Sequence, residues 1–245
     1  MAKFEKEKKE KLEDPQKLFD NFSVFKLIKP MAGTFHVVEL SLEDTSRILD
    51  KSDSFSNFHD QNWLKIMGYT LLYSMNQKPR PFFGYCGTDF LTLIYKINPE
   101  LNQPTELISN LSSLASSFLG LQINNTVNFS GNLLEFPDPK ILTAYLLWKQ
   151  NNNRNLLIQS MALYTLISQG KSSEDAKQTI IALGDNQTKL SMISDHNQTK
   201  IPNWHLNGIC SFWDKSNDKI QLAVHENLPS GPDFLNFLIE LFDQE

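Results

Sequence analysis

The run GYCGTDFLTLIY, from Gly84 to Tyr95, constrains this chain most. Its second half is a near-continuous series of strand-forming apolar and aromatic residues, read as a buried strand within residues 83–95. Pro79 and Pro81 lie just before it and break whatever helix precedes it. Asp89 stands at the mouth of the apolar run. A carboxylate there is placed to hold a hard divalent cation such as magnesium. The alternative role for Asp89 is a strand-end cap or a turn residue.

The elements around this strand set the fold class. Phe35 to Leu42 alternates and reads as a strand. Thr45 to Asp50 reads as the start of a short helix. In the helix expected over 61–76, Trp63, Ile66, Met67, Leu71 and Met75 fall on one face. Pro104 opens a helix over 104–119, where Ser112, Ser113, Ala115, Ser116 and Ser117 suit close packing. Phe129 to Phe136 is the next strand, ended by Pro137-Asp138-Pro139. Helices follow over 139–150 and 154–169, separated by an Asn-rich break at 151–153. A further helix begins at Ser172-Ser173-Glu174-Asp175, with the serine-then-acid signature of a capped end. Residues 184–203 are polar and read as loop, Ile209 to Trp213 as a last strand, and 232–243 as an amphipathic helix. Strands and helices alternate in the first half and helices dominate the second. The pattern is an α+β fold, a split βαβ (ferredoxin-like) sheet with helices on one face and a helical C-terminal half. Three regions are expected: a charged tail or helix at 1–15, an α+β region at 16–136, and a helical extension at 137–245 with a returning strand near 209–213.

Composition narrows the function classes. The 245 residues carry a net charge of −5, and Arg47, Arg80 and Arg154 are the only arginines. Strong nonspecific binding to nucleic acid needs clustered basic residues, so this balance argues mildly against it. Cys86 and Cys210 form neither a disulfide framework nor a zinc spacing. The first residues lack the apolar stretch of a secretory signal, and no apolar run reaches the roughly 18 residues of a membrane span. A cytoplasmic protein is expected. Gly84 and Gly87 do not make a phosphate-binding loop.

Several strings, taken in order, resemble the tRNA-histidine guanylyltransferase family, enzymes that add nucleotides in the 3′-to-5′ direction. FSGNLLEFPDP, from Phe129, and AYLLWKQ, ending at Trp148-Lys149-Gln150, are similar to the family's F-D-G-R and Y-L-x-W-R-Q. Phe58-His59-Asp60, followed by Leu64 and Met67, is similar to P-N-D and A-L-x-L-M. Pro202 with Gly208 is similar to L-P-x-x-x-K-G, and Gly84 to Tyr95 to A-Y-G-Q-S-D-E-Y-S-F. The resemblance spans roughly residues 30–215. It implies a palm-like domain, two-metal transfer with magnesium, GTP or ATP as substrate, tRNA as partner, and a dimer or tetramer. By the same carry-over Asp89 and Glu43 are the catalytic metal ligands. Thr88, His59, Asp60, Lys149 and Arg154 are nucleotide contacts, although His59 and Asp60 also read as caps of the 61–76 helix.

The chain departs from the family where charge is required. The S-D-E motif reads Thr88-Asp89-Phe90. The aspartate of the family's first-strand R-L-D-G-R falls on Ser41, Leu42 or Glu43, of which only Glu43 is a metal ligand by type. The arginine of F-D-G-R is Asn132, and H-I-N-N-L-Y-N reads Arg154-Asn155-Leu156-Leu157-Ile158-Gln159-Ser160. The second reading is therefore a catalytically impaired palm-fold protein that binds nucleotide, RNA or protein.

Overall fold

The computed structural model describes residues 34–44, 48, 61–96, 104–197, 201–214 and 220–243. The charged segment at 1–15 and His59 and Asp60 lie outside the described residues, as does the 45–50 helix apart from Ile48. The strands are β1 (Phe35–Leu42), β2 (Phe83–Cys86), β3 (Phe90–Tyr95), β4 (Phe129–Phe136), β5 (Ile209–Asp214) and β6 (Gln221–His225). They form one six-stranded sheet in the order β4-β1-β3-β2-β5-β6, with every neighbouring pair antiparallel. The helices are α1 (Gln61–Met75), α2 (Pro104–Ile123), α3 (Pro139–Ser168), α4 (Ser173–Leu183), α5 (Asn186–Asn197), α6 (Asn203–Asn207) and α7 (Pro232–Asp243).

Strand β3 is central because every one of its residues is apolar, aromatic or threonine, and all six are buried. Residues directly opposite one another on neighbouring antiparallel strands share a face. Leu40 lies opposite Leu91, and Val38 opposite Leu93. With Trp63, Met67, Leu71 and Met75 of α1 and Leu107, Leu111, Ala115 and Leu119 of α2, they build a continuous apolar core. The 3.6-residue period that marks α1 in the sequence is thus the period of its contact with the sheet.

The other face belongs to the C-terminal half. Val37, Phe83, Tyr85, Phe90 and Ile94 meet Leu142 and Leu146 of α3 and Phe234, Leu238 and Phe242 of α7. Helix α7 is the amphipathic segment expected over 232–243, and its apolar stripe docks on the body of the chain. A smaller cluster of Leu157, Ile158, Met161, Ala162, Ile193 and Leu206 joins α3 to α5 and α6.

Three expectations are corrected. The strand expected over 83–95 is a hairpin, with Gly87 to Asp89 turning between β2 and β3. Helix α3 runs unbroken through Asn151 to Asn153, because Asn153 is buried and bonded rather than looped out. Residues 186–197, read as loop, form α5. Asp185 caps that helix, accepting from the Thr188 N–H at 2.9 Å and the Thr188 hydroxyl at 2.9 Å. Ile193 supplies its buried anchor.

Candidate functional site

The β2–β3 turn and the end of β1 meet at one edge of the sheet. The Leu42 N–H donates to the Asp89 carbonyl at 2.7 Å, so Asp89 sits at the mouth of the β1–β3 pair. The turn is fixed from both faces. On the α1 side, the Trp63 indole donates to the Thr88 carbonyl at 2.7 Å. On the α3 side, the Asn153 amide oxygen faces the Thr88 N–H at 3.5 Å and the Thr88 hydroxyl at 3.4 Å. Gly87 permits this approach, since a Cβ there would lie 2.4 Å from the Phe90 ring and 2.5 Å from Asn153 Oδ1. The Asp89 carboxyl reaches solvent, but the protein around it desolvates it in part. That burial raises its pKa above the ordinary carboxylate value.

The α3 face of the sheet beside this turn is polar. Ser41 lies opposite Phe90, and Glu39 opposite Thr92. Helix α3 lays Tyr145 and Lys149, one turn apart, against them. The Lys149 ammonium pairs with Glu39 Oε1, the two side chains being only 12% and 18% exposed. The Tyr145 hydroxyl donates to Glu39 Oε2 at 2.8 Å. Lys149 Nζ also stands 4.4 Å from the centre of the Phe90 ring. Burial pushes the Lys149 ammonium down to about 8, which leaves it charged against Glu39 at neutral pH. Burial pushes the Tyr145 phenol up to about 12, so it stays a donor.

The expected site residues therefore divide. Asp89 and Thr88 share the turn, and Lys149 comes to the adjoining face. Arg154 follows Asn153 on α3 and donates from Nη1 to Asn207 Oδ1 at 2.7 Å. Asn207 is a buried junction: its side chain donates to the Leu228 carbonyl at 2.7 Å, and its carbonyl accepts from the Tyr85 hydroxyl at 2.9 Å. Glu43 lies just past the end of β1, exposed, and its Oε1 accepts from the Ser130 hydroxyl at 2.5 Å. Ser130 is on β4, which borders β1 on the side away from β3. The Glu43 carboxylate is thus held toward β4 while Asp89 stands at the β3 side.

These donors do not fit a two-metal set. A bridging pair of carboxylates on β1 and beside β3 is required, and the facing pair is Ser41 and Phe90. Among the described residues, no three His, Cys, Asp or Glu side chains are grouped to hold a metal ion. Glu39 was not singled out in the sequence. Its signal was there: a glutamate flanked by apolar residues inside a strand needs a buried partner, and Tyr145 and Lys149 stand at i and i+4 in AYLLWKQ.

The architecture is an antiparallel palm-like sheet with helices packed on it and a turn carboxylate at its mouth. The fold is that of the tRNA(His) guanylyltransferases. The chain is similar to a bacterial tRNA(His) guanylyltransferase (Thg1)-like protein in complex with GTP, with TM-score 0.64 and 13% identity, over 94% of this chain and 98% of that one. It is similar to a bacterial protein of the same description in complex with ATP, with TM-score 0.68 and 12% identity, over 94% and 98%. It is also similar to the tRNA(His) guanylyltransferase of Saccharomyces cerevisiae, with TM-score 0.65 and 14% identity, over 84% and 95%. No family model matches the sequence, and no curated protein matches it. No helix among the described residues is long and apolar enough to cross a membrane.

Proposed function

We propose that this chain is a palm-fold protein that binds a nucleoside triphosphate and the end of a tRNA without efficient two-metal transfer between them. One observation carries this reading. The Lys149–Glu39 pair, with Phe90 and Ser41, occupies the face where transfer chemistry would need paired carboxylates. Asp89 is left without a bridging partner. The loss of such electrostatic stabilisation costs about 3 kcal/mol or more per contact, orders of magnitude in rate.

Nucleotide binding is supported by the two bacterial structures of this fold, which hold GTP and ATP. Lys149 is committed to Glu39. Arg154, which follows Asn153 on α3 and is bonded only to the uncharged Asn207 amide oxygen, keeps an uncompensated charge and is then the cation proposed to meet phosphate. Thr88 offers a hydroxyl at the same turn.

The test is a thermal-shift titration with GTP and with ATP, each with magnesium and with chelator, on wild type, Asp89→Ala and Arg154→Ala. A ligand at 100 times its dissociation constant stabilises by about 2.7 kcal/mol, a readily measured shift. The expected result is a shift that persists in chelator and in Asp89→Ala and shrinks in Arg154→Ala. A shift that needs magnesium and disappears in Asp89→Ala would instead establish Asp89 as a metal ligand and restore the transfer reading. The absence of any shift would remove nucleotide from the proposal.

A further inference from the structure

Helix α3 carries a polar run that the Thr88–Asp89 turn explains only in part. Asn151, Asn152 and Asn153 sit in the middle of the helix, where asparagine is a poor helix former. Asn153 is accounted for by its contact with Thr88. Asn151 and Asn152 are exposed, and among the described residues their side chains bond to nothing. Such breaks of local preference are expected where residues serve a function.

Residues at i, i+4, i+7 and i+11 of a helix share a face, so Trp148, Asn152, Asn155 and Gln159 form one stripe. All four are exposed, while Leu146, Gln150 and Asn153 on the opposite side are buried. Trp148 is 58% exposed. The Tyr145 ring lies beside it at 6.1 Å, inclined by 32°, and Tyr145 is itself tied to Glu39. The indole is therefore a braced flat surface. Asn155 Oδ1 accepts from Asn186 Nδ2 at 2.6 Å, which leaves the N–H groups of its own amide for a ligand.

Charge points to the class of that ligand. The 30 residues of α3 include Lys140, Lys149 and Arg154 but no aspartate or glutamate, in a chain with 28 acidic residues. A face free of carboxylates accepts a polyanion. With so few cations, phosphate contacts alone would hold one weakly. Stacking of bases on an aromatic ring and pairing of carboxamides with base edges supply the rest.

We propose that the stripe from Trp148 to Gln159 binds an unpaired segment of RNA, with one base stacked on the Trp148 indole and base edges read by Asn152 and Asn155. A duplex keeps its base faces inside its own stack, so the stripe takes single strands. The contact lies apart from the Thr88–Asp89 turn. It extends the RNA half of the proposed function and rests on that reading for the choice of RNA over DNA.

Fluorescence anisotropy on the full chain, without nucleotide, tests this with a labelled oligo(A) of about eight nucleotides and a blunt RNA duplex of the same length. The expected result is binding of oligo(A) in preference to the duplex, weakened about 10-fold or more in Trp148→Ala. Asn152→Glu favours the helix and sets a carboxylate against phosphate, so it should weaken binding as well. Should Trp148→Ala lose its helical circular dichroism, Asn152→Glu decides alone. Unchanged affinity in a folded variant, duplex bound as tightly as oligo(A), or no binding of oligo(A) at tens of micromolar would overturn the proposal. No GTP or ATP is present, so a failure of the nucleotide reading in the thermal-shift titration leaves this result standing.

Discussion

The two faces of the central strands differ in kind. Toward α1 and α2, β1 and β3 present Val38, Leu40, Leu91 and Leu93 to an apolar interior, with the buried His36 as the polar residue at its end. Toward α3 the same strands present Glu39, Ser41, Thr92 and Phe90, with a charged pair closed against them. The first face is held by area removed from water, which asks only for shape and volume. The second is held by partners that must all be present, since a buried charge that loses its partner keeps its desolvation cost.

The sharpest way to break that contrast is Lys149→Ala. It strands Glu39 between strand and helix and should destabilise the protein by about 3–5 kcal/mol. The double replacement Glu39→Leu with Lys149→Met should recover most of that loss, measured by urea denaturation. If the double replacement is as unstable as the single, the pair is not the organising contact of that face. On the apolar face, Leu40→Ala should cost about 3 kcal/mol by cavity formation, with no rescuing partner.

Asn207→Ala should come next, at about 2 kcal/mol, because it leaves the Leu228 carbonyl and the Arg154 guanidinium without their partner. Thermal denaturation of the variant checks this. Asp89→Asn should act in the opposite direction and weakly. Burial raises the Asp89 pKa, so the folded state holds its proton more tightly than the unfolded one. Its contribution is therefore favourable below the ordinary carboxylate pKa and is lost as pH rises through the raised value. The variant should be slightly more stable than wild type at neutral pH, and the advantage should fade in acid. An Asp89→Asn protein less stable at pH 7 would mean that the carboxylate is stabilised by a partner.

The apolar face was legible in the sequence, and the polar face less so. The strands 35–42 and 129–136 and the helix 232–243 have the observed bounds, since alternation and helical stripes record contact with a core. Trp63, Met67, Leu71 and Met75 are all fully buried, as their spacing indicated. The failures occur where polar residues serve packing. The Asn151–Asn153 run reads as a helix break by composition, yet Asn153 is turned inward to Thr88. Residues 186–197 look like loop because their helix buries little beyond Ile193 and Lys189. Asp89 stands out in the sequence because a carboxylate before an apolar strand is conspicuous, and the structure puts it in the β2–β3 turn. Glu43 matched by residue type alone, and its bond to Ser130 depends on strand order, which local sequence does not record. The same holds for Glu39 and Lys149, which only the packing of α3 across β1 brings together.

The most direct test of the central claim is incorporation of labelled nucleotide. Purified protein is incubated with tRNA, magnesium and labelled GTP or ATP, with Asp89→Ala alongside. The expected result is no transfer of label to the tRNA above the level of the variant. Magnesium-dependent labelling of the tRNA 5′ end by wild type, abolished in Asp89→Ala, would contradict the reading of the Lys149–Glu39 face as a replacement for the transfer site.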